Sequence, residues 1–103
     1  MTERQGEYGA DVELAKPEIE EPRLYEVVLL NDDYTTMEFV IEVLQRFFKK
    51  NAEEAETIMF AVHEKGSAVA AIYPLEIAEM RKEQVIDYAR AHGYPLMLTL
   101  RSH

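Results

Sequence analysis

A chain of 103 residues, 48% hydrophobic and 30% charged, has room for one small core and an arm. Its 20 acids and 11 bases give a formal net charge of −9, which repels phosphate backbones and argues against nucleic acid as a partner. Without cysteine there is no disulfide framework, thiolate zinc site or cysteine nucleophile, and no apolar run approaches the roughly 20 residues that span a bilayer.

Composition changes at Pro22. Residues 1–22 hold seven acids and two bases, with two prolines, two glycines and scattered apolar side chains. Such a segment buries too little apolar surface to offset its ordering entropy, which predicts a flexible acidic tail over 1–22 and a folded domain over 23–103. The same stretch has no signal-peptide h-region, so a cytoplasmic location with no membrane partner is expected.

Residues 24–30, Leu-Tyr-Glu-Val-Val-Leu-Leu, are β-favouring and almost continuously apolar, and predict a buried strand. Six turn formers follow, from Asn31 to Thr36. Thr35 and Glu38 have capping-box spacing, and Met37, Val40, Ile41, Leu44, Phe47 and Phe48 fall on one 3.6-period face. Lys49 and Lys50 suit the end of that helix, where cations complement the dipole.

Asn51 and Glu54 mark the next helix start, with a stripe at Ala55, Ile58, Met59 and Val62 and a stop at Gly66. Residues 68–73 read as a second strand. Pro74 either opens a helix or sits on a sheet edge. Tyr73, Leu75 and Ile77 continue a period of two, so the edge is favoured and the third helix is predicted from Glu79 to Ala91, burying Val85, Ile86 and Ala89. Gly93 and Pro95 end it, and residues 96–100 form the last strand. The order β-α-α-β-α-β makes a two-layer α+β sandwich, a three-stranded sheet with three helices on one face. Alternation alone permits parallel as well as antiparallel strands.

The densest polar cluster is Asn31-Asp32-Asp33-Tyr34-Thr35, between the first strand and the first helix. Asx turns and a helix cap use these residue types, and so does a site for a cation, either a metal or an ammonium group. The alternating acids, central glycine and closing glutamate of a calcium loop are missing. His63 falls one turn after Met59 at the edge of the apolar stripe, where an imidazole is either structural or a tunable hydrogen-bond partner. His92 and His103 lie near a helix end and the C-terminus. No paired metal-ligand spacing, GxSxG, GxGxxG or Walker sequence occurs, so neither an enzyme nor a metal or other cofactor is expected. Adjacent Asp32 and Asp33 are poorly placed to serve as an acid and base pair on one substrate.

Met37, Met59 and Met97 fit core packing or an adaptable apolar pocket. An acceptor cluster beside such a pocket suits a ligand with one positive charge and one bulky apolar group. A peptide N-terminus is such a ligand, since its α-amino pKa of about 7.7–8.0 leaves it mostly protonated with three N–H donors.

The run Asn31-Asp32-Asp33-Tyr34-Thr35-Thr36-Met37-Glu38-Phe39-Val40 resembles the ClpS adaptor family. So do Val43-Leu44-Gln45-Arg46-Phe47-Phe48, Ala61-Val62-His63, Glu76-Ile77-Ala78-Glu79 and Pro95-Leu96-Met97-Leu98-Thr99-Leu100, and the likeness spans roughly residues 22–101. It implies a bacterial adaptor that binds N-end-rule substrates, proteins beginning with Leu, Phe, Tyr or Trp, and delivers them to the AAA+ unfoldase ClpA, which feeds the peptidase ClpP. By motif, Asn31, Asp33 and His63 would hold the α-amino group, with Asp32 and Thr35 beside the first peptide units. Leu29, Met37, Val40, Met59, Val62 and Leu96 would line the side-chain pocket, Met37 as a gatekeeper against β-branched first residues. Glu76 and Arg81 would contact the ClpA N-terminal domain, the acidic tail would serve delivery, and the adaptor would be monomeric.

Two positions depart from the family pattern. Thr36 stands where proline is usual, and Arg81 where lysine is common; neither change touches the amine site. The same element order occurs in the C-terminal domain of a ribosomal stalk protein, but a general docking surface has no need of the polar cluster or His63.

Overall fold

The computed structural model describes residues 21–103. The predicted tail lies outside the described residues except for its last two, Glu21 and Pro22, which precede the first strand. Six elements follow in the expected order: β1 (Leu24–Leu30), α1 (Met37–Phe48), α2 (Ala52–Lys65), β2 (Ser67–Pro74), α3 (Leu75–Ala91) and β3 (Met97–Ser102). The sheet runs β2-β1-β3 with both pairings antiparallel, which settles the direction that alternation had left open.

β1 is the central strand, and its near-continuous apolar sequence reflects that position. Val27 and Leu29 face the helices and join the core, together with Ala70 of β2 and Leu98 of β3. Val28 points to the other face yet is only 2% exposed, because strands flank it on both sides. The β1–β2 register shifts between Val27, opposite Ala71, and Val28, opposite Val69, so Ala70 is the extra residue of a bulge. The face away from the helices carries exposed Leu24, Ile72 and Met97. In its middle the Glu26 carboxylate accepts from Arg101 Nε at 2.7 Å and from His103 Nδ1 at 3.0 Å. The hydrogen bonds from His103 and Arg101 hold the Glu26 carboxyl below its ordinary 4.5.

The helices close over the inner face with Phe39, Val40, Val43, Leu44 and Phe48 from α1 and Ala55, Met59 and Val62 from α2. Ala78, Val85, Ile86 and Ala89 come from α3. The α1 stripe is therefore rotated from the predicted one. Phe39 and Val43 are buried, whereas Met37 is 42% exposed and Ile41 and Phe47 are only partly covered. Phe39 turns inward because it packs on Tyr94, at 4.4 Å between ring centroids, and on Tyr88 at 5.7 Å. Both partners come from the far end of the chain.

Two helix starts differ from expectation. The N-cap of α1 is Thr36, whose Oγ accepts from the Phe39 N–H at 3.1 Å, rather than Thr35. Thr35 is engaged elsewhere, as described below. Pro74 is both the last residue of β2 and the N-cap of α3, so the helix begins at Leu75 rather than Glu79. Leu75 and Ile77 are about two-fifths exposed, so their alternation does not mark a buried strand face. The α2 start is as expected: the Asn51 side chain accepts from the Glu54 N–H at 2.8 Å, and Glu54 accepts in return from the Asn51 N–H at 3.0 Å.

Leu44 is fully buried in this core, so Leu44→Ala is expected to cost about 2–5 kcal/mol in denaturant unfolding. Asn51→Ala, which removes half of the reciprocal cap, should cost about 1 kcal/mol in the same measurement.

Candidate functional site

The polar run that follows β1 is fixed at its start by a main-chain bond. The Asn31 N–H donates to the Gly66 carbonyl at 2.9 Å, joining the end of the central strand to the residue that ends α2. Gly66 has φ of +91°, a left-handed conformation that a side chain would strain, and its own N–H donates to the Val62 carbonyl at 2.9 Å. The last turn of α2, with Met59, Val62 and His63, is thereby held against the 31–36 loop.

Within the loop, one carboxylate gathers three donors. Asp32 Oδ1 accepts from the Tyr34 N–H and the Thr35 N–H, both at 2.7 Å. Asp32 Oδ2 accepts from the Thr35 hydroxyl at 2.7 Å. Partial burial pushes the Asp32 carboxyl up, but these hydrogen bonds, from the Thr35 hydroxyl and from the Thr35 and Tyr34 N–H groups, outweigh it and hold the group below its ordinary 3.8. These three bonds end on Asp32, and among the described residues no bond within the loop uses the side chain of Asn31, Asp33 or His63. Those three side chains are exposed.

Between the loop, the start of α1 and the end of α2 lies a hollow of about 380 Å³. Asn31, Asp32, Asp33, Thr35 and His63 contribute its polar lining, and Met37, Val40, Met59 and Val62 its apolar wall. Leu29 and Leu96 do not line it. They are 0% and 2% exposed and lie within the core. Tyr34, a member of the polar cluster to which no role was assigned, and Thr36 also line the hollow. Tyr34 is 75% exposed, so no burial signal could have pointed to it.

Glu76 belongs to another surface. It lines a hollow of about 520 Å³ with Pro22, Arg23, Tyr25, Pro74, Leu75 and Ile77. Arg81, further along α3, donates from Nη1 to Gln84 Oε1 at 3.0 Å and lies 5.8 Å from the Tyr73 ring centroid. Among the described residues no group of three or more His, Asp or Glu side chains could hold a metal ion, and no helix is long and apolar enough to cross a membrane.

Chemically, the first hollow offers hydrogen-bond acceptors on one side and polarisable apolar carbon and sulfur on the other. Residues 20–99 match the family described as ATP-dependent Clp protease adaptor protein ClpS. The ATP-dependent Clp protease adapter protein ClpS of Rhodospirillum centenum is 52% identical over 86 residues, covering 84% of this chain and 80% of that protein. Its counterpart in Alkalilimnicola ehrlichii is 43% identical over 104 residues, 98% of each chain. A solved structure of Agrobacterium tumefaciens ClpS2 bound to L-phenylalaninamide matches with a TM-score of 0.77 at 38% identity, covering 81% of this chain and 100% of that one.

The brace at Asp32 makes the loop sensitive to acid. Its folded pKa lies below the unfolded value, so its contribution is full above about pH 3.8 and is lost as pH falls through the folded value. The amide proton shifts of Tyr34 and Thr35 should therefore move together as pH is lowered below that point, while amides in the middle of α1 stay fixed. In Asp32→Ala that shared movement should be lost. NMR titration checks this, and a Thr35 amide insensitive to pH in the unmodified chain would exclude the brace.

Proposed function

This chain belongs to the ClpS family of ATP-dependent Clp protease adaptors, and on that basis we propose that it captures free N-termini beginning with Leu, Phe, Tyr or Trp and delivers their owners to the ClpA unfoldase for degradation by ClpP. The observation that carries this reading is the hollow itself, where exposed acceptors and an apolar wall meet within one small volume. L-Phenylalaninamide, the ligand of the similar Agrobacterium protein, combines a free amine with a bulky apolar side chain.

In this reading Asn31, Asp33 and His63 receive the N–H donors of the α-ammonium group. Asp32 and Thr35 lie beside the first peptide units. Met37, Val40, Met59 and Val62 cover the first side chain, with Leu29 and Leu96 supporting that wall from the core. Burial of a Leu or Phe side chain contributes about 1.5–3 kcal/mol. The ammonium adds specificity, because a buried charge without acceptors costs several kcal/mol. Selection therefore needs both halves at once.

The proposed role is that of an adaptor with no catalytic step and no cofactor of its own. The Glu76 and Arg81 surface on α3 is assigned to the ClpA N-terminal domain, and the acidic segment 1–22 to delivery. The adaptor acts in the cytoplasm as a monomer.

Asp33→Ala and His63→Ala should each weaken binding of a Leu-initiated peptide by about tenfold or more, leaving stability within about 0.5 kcal/mol because both side chains are exposed. N-acetylation of the peptide should have at least as large an effect. Fluorescence anisotropy with free and acetylated peptides measures both; unchanged affinity in the two variants would remove the assigned amine site. Deleting residues 1–20 should leave peptide binding intact and stop ClpAP-dependent degradation, read by loss of a Leu-initiated fluorescent reporter. Continued degradation would take the delivery role away from the tail.

A further inference from the structure

We infer that Met37 is an oxidation site through which a peroxide closes the hollow to ligands: converting its thioether to the sulfoxide spoils the apolar wall that a first side chain needs. This rests on the N-terminus-binding reading given above and adds a means of regulating that same site.

The chain has no cysteine, so no thiol competes with its methionine sulfurs for a peroxide. Four methionines lie among the described residues, and their surroundings differ. Met59 is 4% exposed within the core cluster, where its sulfur is shielded from solution. Met80 on α3 and Met97 on β3 are open to solution but do not line the hollow. Met37 alone among the four meets both conditions, since it lines the hollow and is 42% exposed.

The reaction needs hydrogen peroxide and nothing else. The Met37 sulfur attacks one peroxide oxygen, the O–O bond breaks and an S–O bond forms. The second oxygen leaves with the bonding pair and collects the proton from the first, so water is the other product. Sulfur gives up two electrons and the peroxide takes them.

A thioether is a weak acceptor that packs much as carbon does, whereas a sulfoxide oxygen is strongly polar and needs water or a donor. That oxygen can keep its water by turning out of the hollow, which leaves Val40, Met59 and Val62 as an incomplete wall. It can instead stay and be dehydrated by the ligand's first side chain, which costs it a hydrogen bond. Both courses weaken binding. The fold is spared on either one, because Met37 is the first residue of α1 and lies outside the core cluster.

The test treats the full chain with hydrogen peroxide until peptide mapping shows Met37 converted and Met59 intact, then removes the oxidant with catalase. Anisotropy then reads binding of a fluorescently labelled, methionine-free peptide with a free leucine N-terminus, and thermal unfolding is followed on the same samples. Treatment should weaken binding by about tenfold or more, the loss expected when a polar group is buried without a partner, and should leave the unfolding midpoint unchanged. The two methionine sulfoxide reductases, one for each sulfoxide epimer, should restore binding with a dithiol as reductant; the dithiol becomes a disulfide and the sulfoxide oxygen leaves as water. The double variant Met80→Leu, Met97→Leu should lose affinity on treatment as the unmodified chain does. Met37→Leu should keep through treatment whatever affinity it has beforehand. Saturating peptide should slow the conversion of Met37 and leave that of Met80 and Met97 as it was, a readout that depends on no variant.

Undiminished affinity in a chain whose Met37 is converted overturns the inference. So does an equal loss in Met37→Leu, a loss that the reductases leave in place, or a Met37 that stays reduced while Met80 and Met97 convert. An acetylated copy of the peptide, measured before treatment, separates the two levels. If acetylation abolishes binding and peroxide does not alter it, only the oxidation rule fails; if acetylation has no effect, the N-terminus reading fails and the inference falls with it.

Discussion

The geometry of the site depends on the main-chain hydrogen bond from Asn31 to Gly66. It joins two segments that are far apart in sequence and individually rigid. β1 is held on both sides by the sheet, and α2 ends at a residue whose left-handed backbone permits one exit direction. With both ends fixed, the bond sets the distance between the polar loop and His63 without requiring any side chain to do so. The side chains of Asn31, Asp33 and His63 are thereby left outside the loop's own hydrogen-bond network, at a modest energetic cost because water can still reach them.

Two adjacent aspartates divide the work of the loop. Asp32 turns back on its own chain and satisfies three donors, which holds its carboxyl ionised into the acid range. Asp33 stays exposed on the hollow's rim. The same residue type thus supplies rigidity at one position and a free negative charge at the next. This is the arrangement a small site needs to meet an ammonium group with little reorganisation, since the acceptors that position the loop are not those offered to the ligand.

Much of this was legible in the sequence, and the misses have local causes. The central strand was readable because its residues Val27 to Leu30 are apolar without a break. The Asn51 cap was readable because its partner Glu54 is three residues away and no neighbour competes for either group. Thr35 and Thr36 were indistinguishable as caps until Asp32 was seen to claim Thr35, leaving Thr36 to close the first turn of α1. Pro74 misled because Leu75 and Ile77 are apolar but partly exposed, so period-two patterning there reported composition rather than burial. The buried side of α1 was misjudged because Phe39 is drawn inward by Tyr88 and Tyr94, partners that helical periodicity cannot reveal. For the hollow, the residue types were legible, but Leu29 and Leu96 are buried in the core and do not line it.

The sheet's uncovered side has a consequence for behaviour in concentrated solution. Its rim is oily, with Leu24, Ile72 and Met97 each more than two-fifths exposed, and such a flat surface invites stacking between copies. Glu26, clasped by Arg101 and His103, stands in the middle of it. Pressing two such faces together would dehydrate charges that are stable only while wetted, and the cost of that step opposes the gain from the greasy margin. A clasp far from the hollow thereby opposes stacking of these small domains through this face.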